Sequence, residues 1–222
     1  MEMTIMRPLA ALALVALAGC ASEDSTRSSA FSELGSSIAS FVGGRGAEGE
    51  GVTLSDAELN AAPVNVILLD IPEFGSEVGL VPQAQNRDVS TWVTPEGYSV
   101  SLKGGQIVGT AGFGYDLSSA EVPDLAAGAR QVVRDHYRLQ GDETVQRFRY
   151  FCDLSYTAGE EVVVTSRRFA TIRIDESCES AEGETFDNIY WVDGVGAVRK
   201  SRQFVSPRLG YFELRDVHTG LR

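Results

Sequence analysis

The sequence predicts a mainly β, antiparallel domain behind an export leader, and three observations carry that reading. From about residue 64 onward, apolar residues recur with period two rather than 3.6. Turn signals at Pro95-Glu96-Gly97, Gly104-Gly105, Gly141-Asp142 and Asp193-Gly194 cut the chain into strand-length pieces. After Pro123 little carries helical spacing, and "PDLAAGA" allows one turn or two at most.

The leader comes first. "MRPLAALALVALAGC" has one basic residue, Arg7, then an apolar run from Leu9 to Ala18 and small residues before Cys20. That run is half the ~20 residues a membrane span needs. Its ending, Leu17-Ala18-Gly19-Cys20, resembles a bacterial lipobox. The resemblance implies diacylation of the Cys20 sulfur, cleavage before it and acylation of the new amino terminus, and several acyl chains suffice for stable anchoring. Ala21 and Ser22 follow where an Asp would favour inner-membrane retention, so the expected address is the periplasmic face of the outer membrane.

Residues 1–19 are thus read as a signal peptide, 20–50 as an acylated tether with a short amphipathic helix, and 51–222 as one antiparallel β domain. The helix rests on Phe31, Leu34, Ile38 and Phe41 at spacings of 3, 4 and 3; Ser55 and Glu58 offer a capping box for a second short helix. "VNVILLDI" reads as a buried strand, and "STWVTPEGYSVSLKGGQIVGT" as three strand segments. "RQVVRDHYRLQ" and "ETVQRFRYFC" form a long hairpin, and "EEVVVTSRRFATIRIDESC" gives one long or two shorter strands. "FDNIYWVDGVGAVRKSRQFV" is a hairpin turning near Asp193-Gly194, and "LGYFELRDV" is the last strand. In unbulged strands Cys152 keeps step with Phe148 and Tyr150, and Cys178 with Ile172 and Ile174. Both cysteines then face the apolar side. With Cys20 acylated, Cys152 and Cys178 are an even pair in an oxidising compartment, so a disulfide is expected. Closing that loop would be worth about 3.5 kcal/mol in chain entropy.

Composition narrows the chemistry. The formal charge is −12. Residues 21–125 carry 15 acidic against 4 basic side chains, and residues 126–222 carry 15 against 14. So acidic a chain is a poor nucleic-acid partner. "GGQIVGTAGFGYDL" holds five glycines between Gly104 and Gly114, but neither the Lys-Ser/Thr of a P-loop nor G-x-G-x-x-G order follows. The run reads instead as a Gly-Gly turn feeding a strand where bulges or close backbone approach are expected. Two histidines, no C-x-x-C and no H-E-x-x-H give a metal little to bind, and no cofactor is expected. No catalytic residue stands out either, although a carboxylate pair for glycoside hydrolysis cannot be chosen among so many acids. Arg134, His136 and Arg138 share one strand face, as do Arg147 and Arg149 in the next strand. These arginines outline a surface for an anionic glycan or an acidic partner, set against the plainer reading of an ordinary polar face with cross-strand ion pairs.

Laid out in this order, the chain resembles the YjbF/GfcB family of bacterial lipoproteins. The match lies in "LAGC", in "TWVTPEGYSVSLKGGQIVGTAGFGYDL", in the cysteines of "RYFC" and "DESC", and in "FDNIYWVDGVGAVRKSRQFVSPRLGYFEL". The resemblance implies a strongly curved antiparallel sheet forming an open or half-closed barrel. It implies a part in exopolysaccharide or group 4 capsule production, with export proteins or polysaccharide as partners and no established enzymatic step. Only the acylated Cys20 and the Cys152–Cys178 bridge carry over as residues. A lipid- or glycan-binding barrel-like carrier, and a carbohydrate-active enzyme, are the alternatives.

Overall fold

The computed structural model describes residues 64–140 and 144–217, together with Ala57. The leader, Cys20, the tether and both N-terminal helix expectations lie outside the described residues. Twelve strands run β1 Val66–Ile71, β2 Ser76–Asn86, β3 Val89–Val93, β4 Ser99–Lys103, β5 Gln106–Ala111, β6 Leu117–Glu121, β7 Gln131–Leu139, β8 Val145–Val164, β9 Arg167–Ser180, β10 Thr185–Asp193, β11 Val198–Ser206 and β12 Gly210–Val217. Two 3-10 turns, Pro72–Phe74 and Leu125–Ala127, are the helical pieces.

All strands belong to one antiparallel sheet in the order β5-β4-β3-β2-β1-β12-β11-β10-β9-β8-β7-β6. Every neighbour is consecutive in sequence except β1 and β12, which pair from Val66–Val217 to Asp70–Glu213. The end strands β5 and β6 lie side by side across the loop 112–116. There Leu117 N–H donates to Thr110 Oγ1 (3.0 Å), and a Cβ on Gly109 would sit 3.6 Å from the Leu117 and Ser118 carbonyl oxygens. The sheet is therefore a nearly closed, barrel-like meander, the curved antiparallel architecture the sequence led us to expect. The glycine run lines this seam, with Gly109 against β6.

β1 explains why a strand here is apolar without alternation. Ile67, Leu69 and Ile71 face the interior with Leu80, Phe212 and Leu214. Val66 and Leu68 face outward and are covered by Val162, Val164 and Phe169 from the far end of the β8–β9 hairpin. That hairpin slips register between Ala158 and Glu160 at Gly159, whose φ is +83°; such a bulge bends the strand pair.

One expectation is corrected in part. The unbroken β9–β10 ladder keeps Ile172 in step with Ile174 and Cys178, yet Ile172 stands 46% exposed while Ile174 and Cys178 are buried. The β10–β11 turn differs too: the positive φ falls on Gly196 (+85°), not Gly194, because Asp193 Oδ1 accepts from the Val195 and Ala197 N–H groups. β2 and β6 were not anticipated. Pro82 and two Gln obscure the period of one, and "LSSAE" has almost no apolar content in the other.

At Gly105 the β4–β5 turn packs on β11. A Cβ there would stand 2.5 Å from the Val198 Cβ, with φ at +80°. Neighbouring Gly104 has φ +55° and open space around it. Gly104→Ala is expected to cost about 1–2 kcal/mol from the left-handed backbone. Gly105→Ala should cost about 1–3 kcal/mol more, from overpacking. Urea unfolding of the two variants compares them directly.

Candidate functional site

The interior is where the sequence's basic ladder leads. β7 turns Arg134, His136 and Arg138 inward, and all three are buried. Arg147 and Arg149 of β8 are exposed on the outer face, where Arg149 grips Asp135 through two bonds of 2.7 and 2.8 Å. The four arginines therefore do not form one surface. In the antiparallel pairing Arg134 and Tyr150 stand opposite each other and so do Asp135 and Arg149, which puts Arg149 one residue out of phase with Arg134.

Arg134 braces the lumen. Its Nε and Nη2 donate to both carboxylate oxygens of Glu176 on β9 (3.0 and 2.9 Å), and Nη2 also reaches Gln106 Oε1 on β5 and Tyr190 Oη on β10. Asn188 Nδ2 and Tyr190 Oη donate to Glu176 Oε2 (2.8 and 3.0 Å). Burial pushes the Tyr190 hydroxyl well above its ordinary range, so it remains a donor. On the far side Gln203 of β11 reaches across to β5. It accepts from Ile107 N–H (2.8 Å) and donates to the Gly105 carbonyl (2.9 Å).

A second ion pair sits nearer the end of β7. Arg138 donates to both oxygens of Glu184 (2.7 and 3.2 Å) and to Tyr150 Oη (2.6 Å), with its guanidinium 4.5 Å from the Phe148 ring centroid. His136 lies between the two clusters, stacked on Phe186 at 5.5 Å and edge-on to Tyr150 at 5.2 Å. Neither of its ring nitrogens has a hydrogen-bond partner among the described residues. Burial first, then the charges of Arg134 and Arg138, hold its pKa well below the ordinary value. It is a neutral, apolar-packed ring.

Cys152 and Cys178 face each other across β8 and β9 and form a disulfide, buried beside Tyr150, Leu154 and Ile174. Their sulfurs cluster with Glu176, but bonded sulfurs have no thiolate to offer a metal.

These contacts decide what the interior can do. Glu176 is fully buried and held by a bidentate arginine, which closes it off from a substrate. The lumen is filled by this polar brace and the cores around it. A pocket of about 280 Å³ remains at the mouth where the chain enters β1, lined by Ile67, Trp92, Leu102, Leu214 and Ser201 and capped by the turns at 104–105 and 196–197. That is below the usual range of roughly 300–1,000 Å³ for ligand pockets. Its polar side chains are engaged: Trp92 Nε1 donates to Ser90 Oγ, Ser201 Oγ accepts from Gln203, and Asp216 accepts from Arg199. On the outer sheet face a second cavity of about 520 Å³ beside Phe151 is lined by Asp153, Glu179 and Asp187, all three exposed to solvent.

Removing one member of the buried pair should cost more than removing its charge altogether. Arg134→Met is expected to destabilise the domain by about 3–5 kcal/mol, since Glu176 is left buried and unpaired. Arg134→Met/Glu176→Gln should recover more than half of that in equilibrium denaturation. For His136, protonation is favoured in the unfolded chain and opposed in the folded one, so stability is complete above the unfolded pKa of about 6.5 and falls as pH drops below it. His136→Phe should flatten that loss, which approaches about 1.4 kcal/mol per pH unit at most. Thermal melts of both proteins from pH 7.5 to 5 measure the difference.

Comparison with known proteins agrees with this architecture. The crystal structure of the hypothetical lipoprotein YmcC from Escherichia coli (K12) superposes with a TM-score of 0.64 at 17% identity, covering 88% of this chain and 94% of that one. No curated protein matches the sequence. The model of the family described as group 4 capsule polysaccharide lipoprotein gfcB, YjbF, matches residues 27–216, through every strand up to the last turn of β12. The chain belongs to the YjbF family of capsule polysaccharide lipoproteins.

Proposed function

We propose that this protein is a non-catalytic accessory in capsule or exopolysaccharide assembly or export, held by acyl chains on Cys20 at the periplasmic leaflet of the outer membrane. The observation that carries the reading is the lumen. Among the described residues it is cross-braced by the Arg134–Glu176 pair and by Gln203, which reach from β7 to β9 and from β11 to β5. A family member built this way acts through its surface. The disulfide supports residence in an oxidising compartment. Confinement at a leaflet raises the effective concentration of that surface for a neighbouring export component, so weak contacts suffice.

The test is genetic. Deletion is expected to reduce surface polysaccharide, and wild-type protein to restore it. Cys20→Ala should rescue poorly, with fractionation showing the protein released from the outer membrane. Normal polysaccharide in the deletion strain would remove the role, while full rescue by Cys20→Ala would remove the anchor's part in it.

A further inference from the structure

Four turns meet at the barrel end opposite the one where the chain enters β1: residues 72–75, 94–98, 112–116 and 207–209. They touch one another. A Cβ on Gly210 would stand 2.7 Å from Glu73 Cγ, one on Gly112 would stand 2.9 Å from the Tyr98 ring, and Ser206 Oγ donates to the Tyr115 carbonyl at 2.8 Å. Among the described residues of these turns, the large apolar side chains left exposed are all aromatic: Phe74 at 59%, Tyr98 at 41% and Tyr115 at 56%. The exposed charges beside them are Glu73, Glu96 and Arg208.

Two of the rings are mounted rigidly. Tyr98 stacks on Phe113 with centroids 5.1 Å apart, and Phe113 sits edge-on to buried Phe212 at 5.0 Å. The Arg208 guanidinium lies 5.0 Å from the Tyr115 ring centroid. Asp116 clamps the loop between them, accepting from Thr110 Oγ1 and from the backbone N–H groups of Gly112, Phe113 and Gly114. A loop ordered in the free protein loses little further entropy when a ligand arrives. Exposed aromatics on a pre-formed surface mark contact sites rather than chance exposure.

We propose that this aromatic end is a polysaccharide-binding surface, with sugar rings lying against Tyr98, Tyr115 and Phe74. The proposal rests on the polysaccharide role given above and names the part of the molecule that performs it. A pyranose ring offers an apolar C–H face and a rim of hydroxyls. A flat aromatic takes the first, and tyrosine does so with little side-chain entropy to lose. Arg208, Glu73 and Glu96 take the second as hydrogen-bonding groups. Membrane docking would call for several basic residues beside apolar anchors; although Leu139 and Val145 stand exposed at this end, the four turns carry one exposed cation against two exposed carboxylates. The surface also points away from the end at which the chain enters the barrel.

The test uses full-length acylated protein in detergent and biosensor tips coated with exopolysaccharide purified from the producing strain. Wild type should bind, and Tyr98→Ala/Tyr115→Ala should bind at least ten-fold more weakly, with Phe74→Ala weakening it further. Val195→Ala, an 85% exposed position at the opposite end, should bind like wild type. Thermal melts equal to wild type exclude misfolding as the cause, and Tyr98→Phe, which keeps the ring, should restore binding. Ring-independent binding, or no binding of wild type to the strain's own polysaccharide, overturns the surface. Its failure and that of the accessory role are separable. Ring-independent binding with a polysaccharide-deficient deletion strain removes the surface alone, whereas ring-dependent binding with a normal deletion strain removes the role alone.

Discussion

The ladder between β1 and β12 is the constraint on which the barrel depends. All other pairings join strands adjacent in sequence and can form as local hairpins. Joining Val66 to Val217 closes a loop of the whole domain, at an entropy cost of about 4 kcal/mol plus a constant. The apolar run Val66-Ile67-Leu68-Leu69 offsets that cost because it is buried on both faces, by the inner core and by the overhanging β8–β9 hairpin. Burial of each such side chain contributes about 1.5–3 kcal/mol. The bulge at Gly159 that swings the hairpin over β1 is therefore as much a part of closure as the ladder itself.

Closure creates the problem that the polar interior solves. Twelve strands enclose more space than aliphatic side chains fill here, and arginine, glutamate, glutamine and tyrosine reach across the remainder. Each buried polar group then needs partners, and the brace supplies them: Glu176 takes Arg134, Tyr190 and Asn188, while Gln203 takes the backbone of β5. The result ties β5, β7, β9, β10 and β11 together through the middle. His136, among the described residues, has no partner at either ring nitrogen and is held by stacking.

The two ends differ in kind. The end where β1 begins has a small pocket sealed by glycine turns against β11. The other carries exposed rings, with the 112–116 loop held by hydrogen bonds that Asp116 accepts. The glycine-rich run joins both: Gly104 and Gly105 turn at the first, Gly109 lines the seam, and Gly112 and Gly114 shape the loop at the second. Its glycines serve close packing and positive φ rather than a phosphate.

Much of this was legible in the residues themselves. Period-two alternation and turn chemistry are local, so the hairpins β3–β5, β7–β8 and β10–β11 followed from sequence, as did two cysteines on inward faces. The export leader and lipobox are likewise local signals. What sequence could not decide was which face of a strand is inside once both faces carry polar residues. Arg134 and Arg138 look like surface residues until partners from three other strands surround them, and Arg149 looks like their neighbour until the pairing puts it out of phase. Phase alone does not fix burial either: Ile172 keeps step with Ile174 and Cys178 along β9 but stands exposed while they are buried. Alternation along one strand is fixed by covalent geometry, whereas burial of a charge depends on groups brought together only when the sheet closes.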